Sequence, residues 1–230
     1  MKQILLIISA AVLILSCTES NNRKEIEIST KKDSVSYSIG IDIGKNLKRQ
    51  EIEIEPDVML QGFLDAQADT SKLTDEEIMA VMTNFQKEMR EKQQNKNKMA
   101  SEKNKAEAEA FFTENKNKDG VISLESGIQY KVIKSGSGKS PKISSTVETH
   151  YSGRLLDGTE FDSSYKRGNP ISFAVTGVIK GWTEILQLMK EGDKWEVYIP
   201  SELAYGERGS PPMIGPNAAL IFEMELIKVK

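Results

Sequence analysis

The residues best suited to chemistry fall in one short stretch, Val147 to Trp182, which reads VETHYSGRLLDGTEFDSSYKRGNPISFAVTGVIKGW. It places Tyr151, Phe161 next to Asp162, Val178, Ile179 and Trp182 in a segment punctuated by turns. Tyr205 and Phe222 follow further on. This mixture suits an apolar pocket carrying one or two polar handles. Composition alone leaves a second reading open, in which the same aromatics are simply core.

Other site chemistries fit poorly. The chain has a single His, His150, and a single Cys, Cys17, so no nitrogen–sulfur metal cluster can form. No elbow motif surrounds a serine that could pair with His150, which reads as a strand residue. Gly136-Ser137-Gly138 lacks the Lys-Ser/Thr of a phosphate-binding loop and reads as a turn. Asn115 to Ser126 mimics the start of a calcium loop, but the twelfth position is Ser126 where a bidentate Glu is required. A helix end and turn is expected there. With 31 basic against 34 acidic residues, the net charge is −3 and no basic face emerges for a polyphosphate partner. Nucleic acid is therefore not expected as a ligand.

The elements that must position the candidate pocket come after a targeting segment. Met1-Lys2-Gln3 precedes an apolar run from Ile4 to Leu15, too short to span a bilayer. Ser16-Cys17 ends it, and a small residue before a lone exported Cys resembles the lipobox of bacterial lipoproteins. That resemblance implies acylation of Cys17 and a lipid-anchored mature chain, with residues 1–17 as signal peptide. An ordinary signal peptide is the alternative. Thr18 to Lys32 is polar and reads as a flexible tether.

Helical periodicity begins at Asp33. Val35, Ile39, Ile43 and Leu47 form one stripe, with Gly40 and Gly44 beside it. A tolerated glycine pair or a tight helix–helix crossing would each explain this. Pro56-Asp57 opens a second helix carrying Val58, Leu60, Phe63 and Leu64. Thr74 to Glu77 has the form of a capping box, and Ile78, Val81, Met82, Phe85 and Met89 follow at helical spacing. Glu91 to Asn104 is almost wholly polar, then Ala106, Ala108, Ala110, Phe111 and Phe112 return. No Pro or Gly interrupts Leu73 to Asp119, so one helix of about 60 Å, polar all round in its middle, is expected, with a disordered Lys/Asn-rich linker as the alternative.

From Gly120 the signals are β. Ile128 to Ile133 and Thr146 to Tyr151 alternate, Asp157-Gly158 marks a hairpin, and strands are expected at Lys194–Ile199 and Ala219–Val229. Trp182 to Met189 is the one helical segment. The fold class is α+β: a helical N-terminal region over residues 33–90, a connecting helix over 91–119, and an antiparallel sheet wrapped on one short helix over 120–230.

In this order the C-terminal half resembles the FKBP-type peptidyl-prolyl cis-trans isomerases. The matching stretches are His150-Tyr151-Ser152-Gly153, Gly158 to Ser164, Val178-Ile179-Lys180-Gly181-Trp182, Ile199-Pro200, Ala204-Tyr205-Gly206, Pro211-Pro212-Met213-Ile214 and Leu220 to Glu223. Asp33 to Phe112 resembles, more loosely, the dimerisation region of the Mip-like branch, through Tyr37 to Gly44 and Asp57 to Phe63. The resemblance implies an isomerase of X–Pro bonds in exported, partly folded proteins. It implies no cofactor, a homodimer through residues 33–90, and a place in the bacterial cell envelope. A dimeric periplasmic chaperone with secondary isomerase activity is the alternative.

The resemblance also implies site roles. Trp182 is the pocket floor, and Tyr151, Phe161, Val178, Ile179 and Phe222 are walls, with Ile214 on a flanking loop. Tyr205 bonds the substrate carbonyl region, Asp162 is a polar handle, and the Ile179 N–H is a further donor. Two positions depart from the best-known members. Ile171 stands where they have a Phe after Pro170, before a loop to Val178 that is shorter, and Ser210 stands where many have a His. Substrate preference should differ there.

Overall fold

The computed structural model describes residues 26–230. Cys17, the signal segment and most of the expected tether lie outside the described residues. Contacts divide the chain into two units between Thr74 and Asp75. This division falls earlier than the boundary expected at Arg90, because the long helix is unbroken and groups wholly with the C-terminal unit.

The N-terminal unit holds α1 (Lys31–Arg49) and α2 (Pro56–Gln67). Helix α1 starts at Lys31, not Asp33. Thr30 accepts from the Asp33 N–H at 3.1 Å, and the Asp33 carboxylate accepts from the Thr30 N–H at 2.8 Å, a reciprocal capping box. Lys31 and Lys32 therefore belong to the helix rather than to a tether. Neither helix has a buried residue, and Ile39 is 56% and Phe63 62% exposed. Among the described residues, the helix's own neighbouring backbone apart, no atom comes within 4 Å of a Cβ built on Gly40 or Gly44. The glycine pair thus makes no close crossing with the described residues of its own chain.

The C-terminal unit begins with α3 (Asp75–Asn115), a single helix, as expected from a sequence that no Pro or Gly interrupts. Every residue from Arg90 to Met99 is exposed; from Ala100 a partly buried stripe recurs at Ser101, Asn104, Ala108, Phe111 and Asn115. That spacing is one helix face, and it lies on the outer surface of the sheet. The Phe111 ring is 5.5 Å from the Tyr198 ring, the buried Asn115 donates to Gln129 Oε1 at 3.0 Å, and the Gln129 amide donates to the Phe112 carbonyl at 2.9 Å.

Among the described residues one sheet contains β1 (Val121–Ser123), β2 (Gln129–Lys134), β3 (Thr146–Leu155), β4 (Glu160–Ser163), β5 (Ile171–Ala174), β6 (Lys194–Ile199) and β7 (Leu220–Val229). The order is β1-β2-β6-β7-β3-β4, with β5 also paired to β3, and every pairing is antiparallel. Leu220, Phe222, Met224 and Leu226 alternate inward on β7 and meet Trp182, Ile185 and Leu186 of α5 (Lys180–Leu188) in one core. A further turn of helix, α4 (Ser164–Arg167), and two 3₁₀ turns at Ser201–Leu203 and Gly206–Arg208 add to the single helix expected here. They are too short to show a helical period in the sequence.

Candidate active site

A cavity of about 440 Å³ opens between the concave face of the sheet and the N-terminal end of α5. It has the size and apolar lining of a small-molecule or side-chain site. Tyr151 reaches it from β3, Phe161 and Asp162 from β4, Ile171 and Phe173 from β5, and Phe222 from β7. Gly177, Val178 and Ile179 come from the connection into α5, Trp182 from its first turn, and Tyr205 from the loop between the 3₁₀ turns.

Strand pairing brings these residues together. Gly153 on β3 pairs with both Asp162 and Phe222, one on each side. A Cβ on Gly153 would lie 2.7 Å from the Phe161 and Phe222 rings, so the absent side chain is what admits that aromatic pair. The two rings meet edge to face at 5.7 Å. Trp182 is 5% exposed and stands edge-on to Tyr151 at 5.0 Å and to Phe222 at 5.1 Å, with Phe173 at 5.4 Å. Such edge contacts fix ring planes more sharply than area alone does.

The polar groups are fewer. The Tyr151 hydroxyl donates to Asp162 Oδ2 at 2.5 Å; Arg167 donates to Asp162 Oδ1 and, through its other nitrogen, to the Tyr151 oxygen at 2.9 Å. The Arg167 guanidinium also lies 5.6 Å from the Tyr151 ring centre. Burial pushes the Asp162 carboxyl up, but the bonds from Tyr151 and Arg167 outweigh it and hold its pKa below the usual value. Burial, reinforced by the Asp162 bond, raises the Tyr151 phenol. At neutral pH the trio is therefore a carboxylate, a phenol and a guanidinium, with both carboxylate oxygens occupied.

Ile179 caps α5 with its carbonyl, which accepts from the Trp182 and Thr183 N–H groups at 3.0 and 3.1 Å. Its own N–H has no acceptor among the described residues. Trp182 Nε1 is buried and likewise without an acceptor, as are Trp195 Nε1 and Thr149 Oγ1, but only Trp182 lines the cavity. The Tyr205 side chain is 40% exposed at the mouth. Apolar walls with isolated donors and an ionised carboxylate held by its neighbours can bind a neutral, ring-shaped group and its carbonyl. Nothing in the arrangement offers a nucleophile.

Of the expected site residues, Tyr151, Phe161, Asp162, Ile171, Val178, Ile179, Trp182, Tyr205 and Phe222 converge on this cavity. Ile214 does not. Expected on a flanking loop, it is 5% exposed, packs in the core cluster, and is tied to Ser210 by backbone bonds. Phe173, Gly177 and Arg167 were not expected. Phe173 lies two residues after Ile171 on β5, a strand of four residues and too short for alternation to mark it in the sequence. Arg167 carried no signal, because a Lys-Arg pair before a glycine reads as solvated surface. His150 stacks on Tyr165 at 4.7 Å and bonds Ser164 through Nδ1 at 2.9 Å, away from the cavity.

An antiparallel sheet wrapped on one short helix, with an aromatic cavity between them, is the FKBP architecture. The family described as "FKBP-type peptidyl-prolyl cis-trans isomerase" matches residues 137–227, and "Domain amino terminal to FKBP-type peptidyl-prolyl isomerase" matches residues 32–132. The chain is 44% identical to "Outer membrane protein MIP" of Legionella longbeachae, over 97% of each chain. It is 42% identical to "Peptidyl-prolyl cis-trans isomerase Mip" of Coxiella burnetii, over 100% of this chain and 99% of that one. The crystal structure of FkpA from Escherichia coli superposes with a TM-score of 0.68 at 38% identity, covering 89% of this chain and 99% of that one. The chain belongs to the FKBP-type peptidyl-prolyl cis-trans isomerase family.

Proposed function

We propose that this isomerase accelerates X–Pro rotation by gripping the twisted imide in the cavity floored by Trp182. The observation that carries this reading is the convergence of Tyr151, Phe161, Val178, Ile179, Trp182 and Phe222 around an otherwise apolar space with free donors at its rim. The barrier to rotation is about 18–20 kcal/mol, and the unaided reaction takes tens to hundreds of seconds. Resonance makes the planar amide more charge-separated than the twisted form, so an apolar cavity disfavours the ground state more than the transition state. That is differential binding without a covalent step. Reaching milliseconds needs four to five decades, roughly 6 kcal/mol. The Ile179 N–H and the Tyr205 hydroxyl orient the carbonyls flanking proline. Asp162, ionised and fully bonded, keeps Tyr151 and Arg167 in place and moves no proton.

The wider setting is proposed on the same footing. The exposed apolar residues of α1 and α2 fit a second copy of the chain, and an unencumbered Gly40–Gly44 edge would let a partner helix approach closely. The lipobox-like Ser16-Cys17 supports anchoring to the envelope of a bacterium through lipid on Cys17, and the relative named an outer membrane protein supports that compartment. Clients would be exported proteins whose folding waits on proline. The test is a protease-coupled assay on an X–Pro peptide with the full chain. Acceleration that is lost in Trp182→Ala supports the cavity; an unaltered rate in that variant overturns it.

A further inference from the structure

We propose that Ser101 and Asn104 of α3 are positioning residues for the cavity, holding through Asn217 and Pro216 the loop that presents Tyr205. The proposal rests on the isomerase reading above. The loop from Tyr205 to Asn217 belongs to no strand, and its glycines Gly206 and Gly209 take φ of +55° and +65°. Its far end is anchored by Ile214 in the core, where Ser210 and Ile214 exchange backbone bonds at 2.8 and 3.0 Å. Its neck is closed by a bond from the Asn217 N–H to the Gly206 carbonyl, 2.8 Å, one residue from Tyr205.

That neck is fixed from outside the sheet. Asn217 is 4% exposed, sits at φ +53°, and its side-chain amide donates to Ser101 Oγ at 2.6 Å. The Asn104 amide donates to the Pro216 carbonyl at 2.8 Å, and a Cβ on Gly215 would come within 3.2 Å of that amide nitrogen. Ser101 and Asn104 are the first polar members of the α3 stripe that returns after the solvated segment Arg90 to Met99. A short chain of contacts therefore runs from α3 through Asn217 to Gly206 and Tyr205. Losing the Ser101 hydroxyl would leave the buried Asn217 amide without its acceptor, which is costlier than losing an exposed bond. The C-terminal part of the long helix thus helps to position the site.

The test is a double-mutant cycle in the full-length chain, using a Leu–Pro tetrapeptide anilide. Ser101→Ala with Asn104→Ala keeps good helix formers in α3. This pair should lower kcat/KM about threefold to tenfold, the worth of one lost orienting bond. Tyr205→Phe should cost markedly less in that background than in the wild type, and Ser101→Thr, which retains the hydroxyl, should restore the wild-type rate. An equal Tyr205→Phe factor in both backgrounds overturns the inference. A wild-type chain that leaves the peptide at its uncatalysed rate would instead overturn the isomerase reading. Hydrogen exchange at the Asn217 amide would then still decide whether α3 holds the loop. Faster exchange in the S101A/N104A chain is expected, and unchanged exchange overturns the clamp.

Discussion

Asp162 is the residue whose chemistry is easiest to misjudge. A carboxylate beside a cavity invites a general-acid role, yet both of its oxygens accept bonds and its pKa is held down by Tyr151 and Arg167 against the effect of burial. It is ionised throughout the neutral range, so kcat/KM should be flat from about pH 5 to pH 8, above the unperturbed carboxylate value. A sigmoid within that window, read in the peptide assay, would return Asp162 to proton transfer. Tyr205→Phe and Asp162→Leu should each lower kcat/KM, by about tenfold for one lost oriented hydrogen bond. Arg167→Ala should lower it as well, although Arg167 does not line the cavity, because it releases both Tyr151 and Asp162.

At the scale of elements, α5 is set by how closely its first turn meets β6. A Cβ on Gly181 would fall 2.5 Å from Ile199 Cγ2, so Gly181→Ala must push α5 off the sheet or displace a buried side chain. Overpacking of this kind costs about 1–3 kcal/mol. Urea denaturation should show that loss, together with a weaker peptide rate, since Trp182 and Ile179 flank the glycine. Helix α3 is legible in the sequence as one uninterrupted helix, but its division into a solvated and a docked part is not. Ser101, Asn104, Ala108 and Asn115 are small or polar, and they read as more of the same polar helix until the sheet is placed beneath them. The β1 and β5 strands were also silent, being only 3 and 4 residues long, below the length at which alternation can be distinguished from chance.

For the whole molecule, pH acts through carboxylates whose pKa is lowered on folding. Glu196 is one, where burial is outweighed by bonds from Tyr198 and Arg154; Asp162 is another. A depressed folded pKa contributes stability that is full above the unfolded value, near 4, and is lost as pH falls through the folded one. Thermal midpoints should therefore hold steady down to about pH 5 and drop below about pH 4. A midpoint that rises on acidification would contradict this. The apolar faces of α1 and α2 lead to a separate expectation: Phe63→Glu should shift the chain from dimer to monomer in sedimentation. Its peptide rate should remain, because Phe63 lies in the other contact unit from the cavity. If Tyr205→Phe with Asp162→Leu abolishes accelerated refolding but preserves suppression of aggregation, chaperone and isomerase functions are separable.

The sequence by itself determined the class of fold and the long helix, because hydrophobic period, glycine and turn chemistry are local; the nine residues that meet in the cavity came through the resemblance to the FKBP family, whose motif order is linear. Only the tertiary structure decided the rest. Ile214, expected on a flanking loop, turned out to be buried beneath that loop, because a loop's direction depends on what packs beneath it. Arg167 became part of the site because a one-turn helix swings its guanidinium back over Tyr151. Ser101 and Asn104 gained partners more than 100 residues away, and no local pattern encodes which surface a helix will meet.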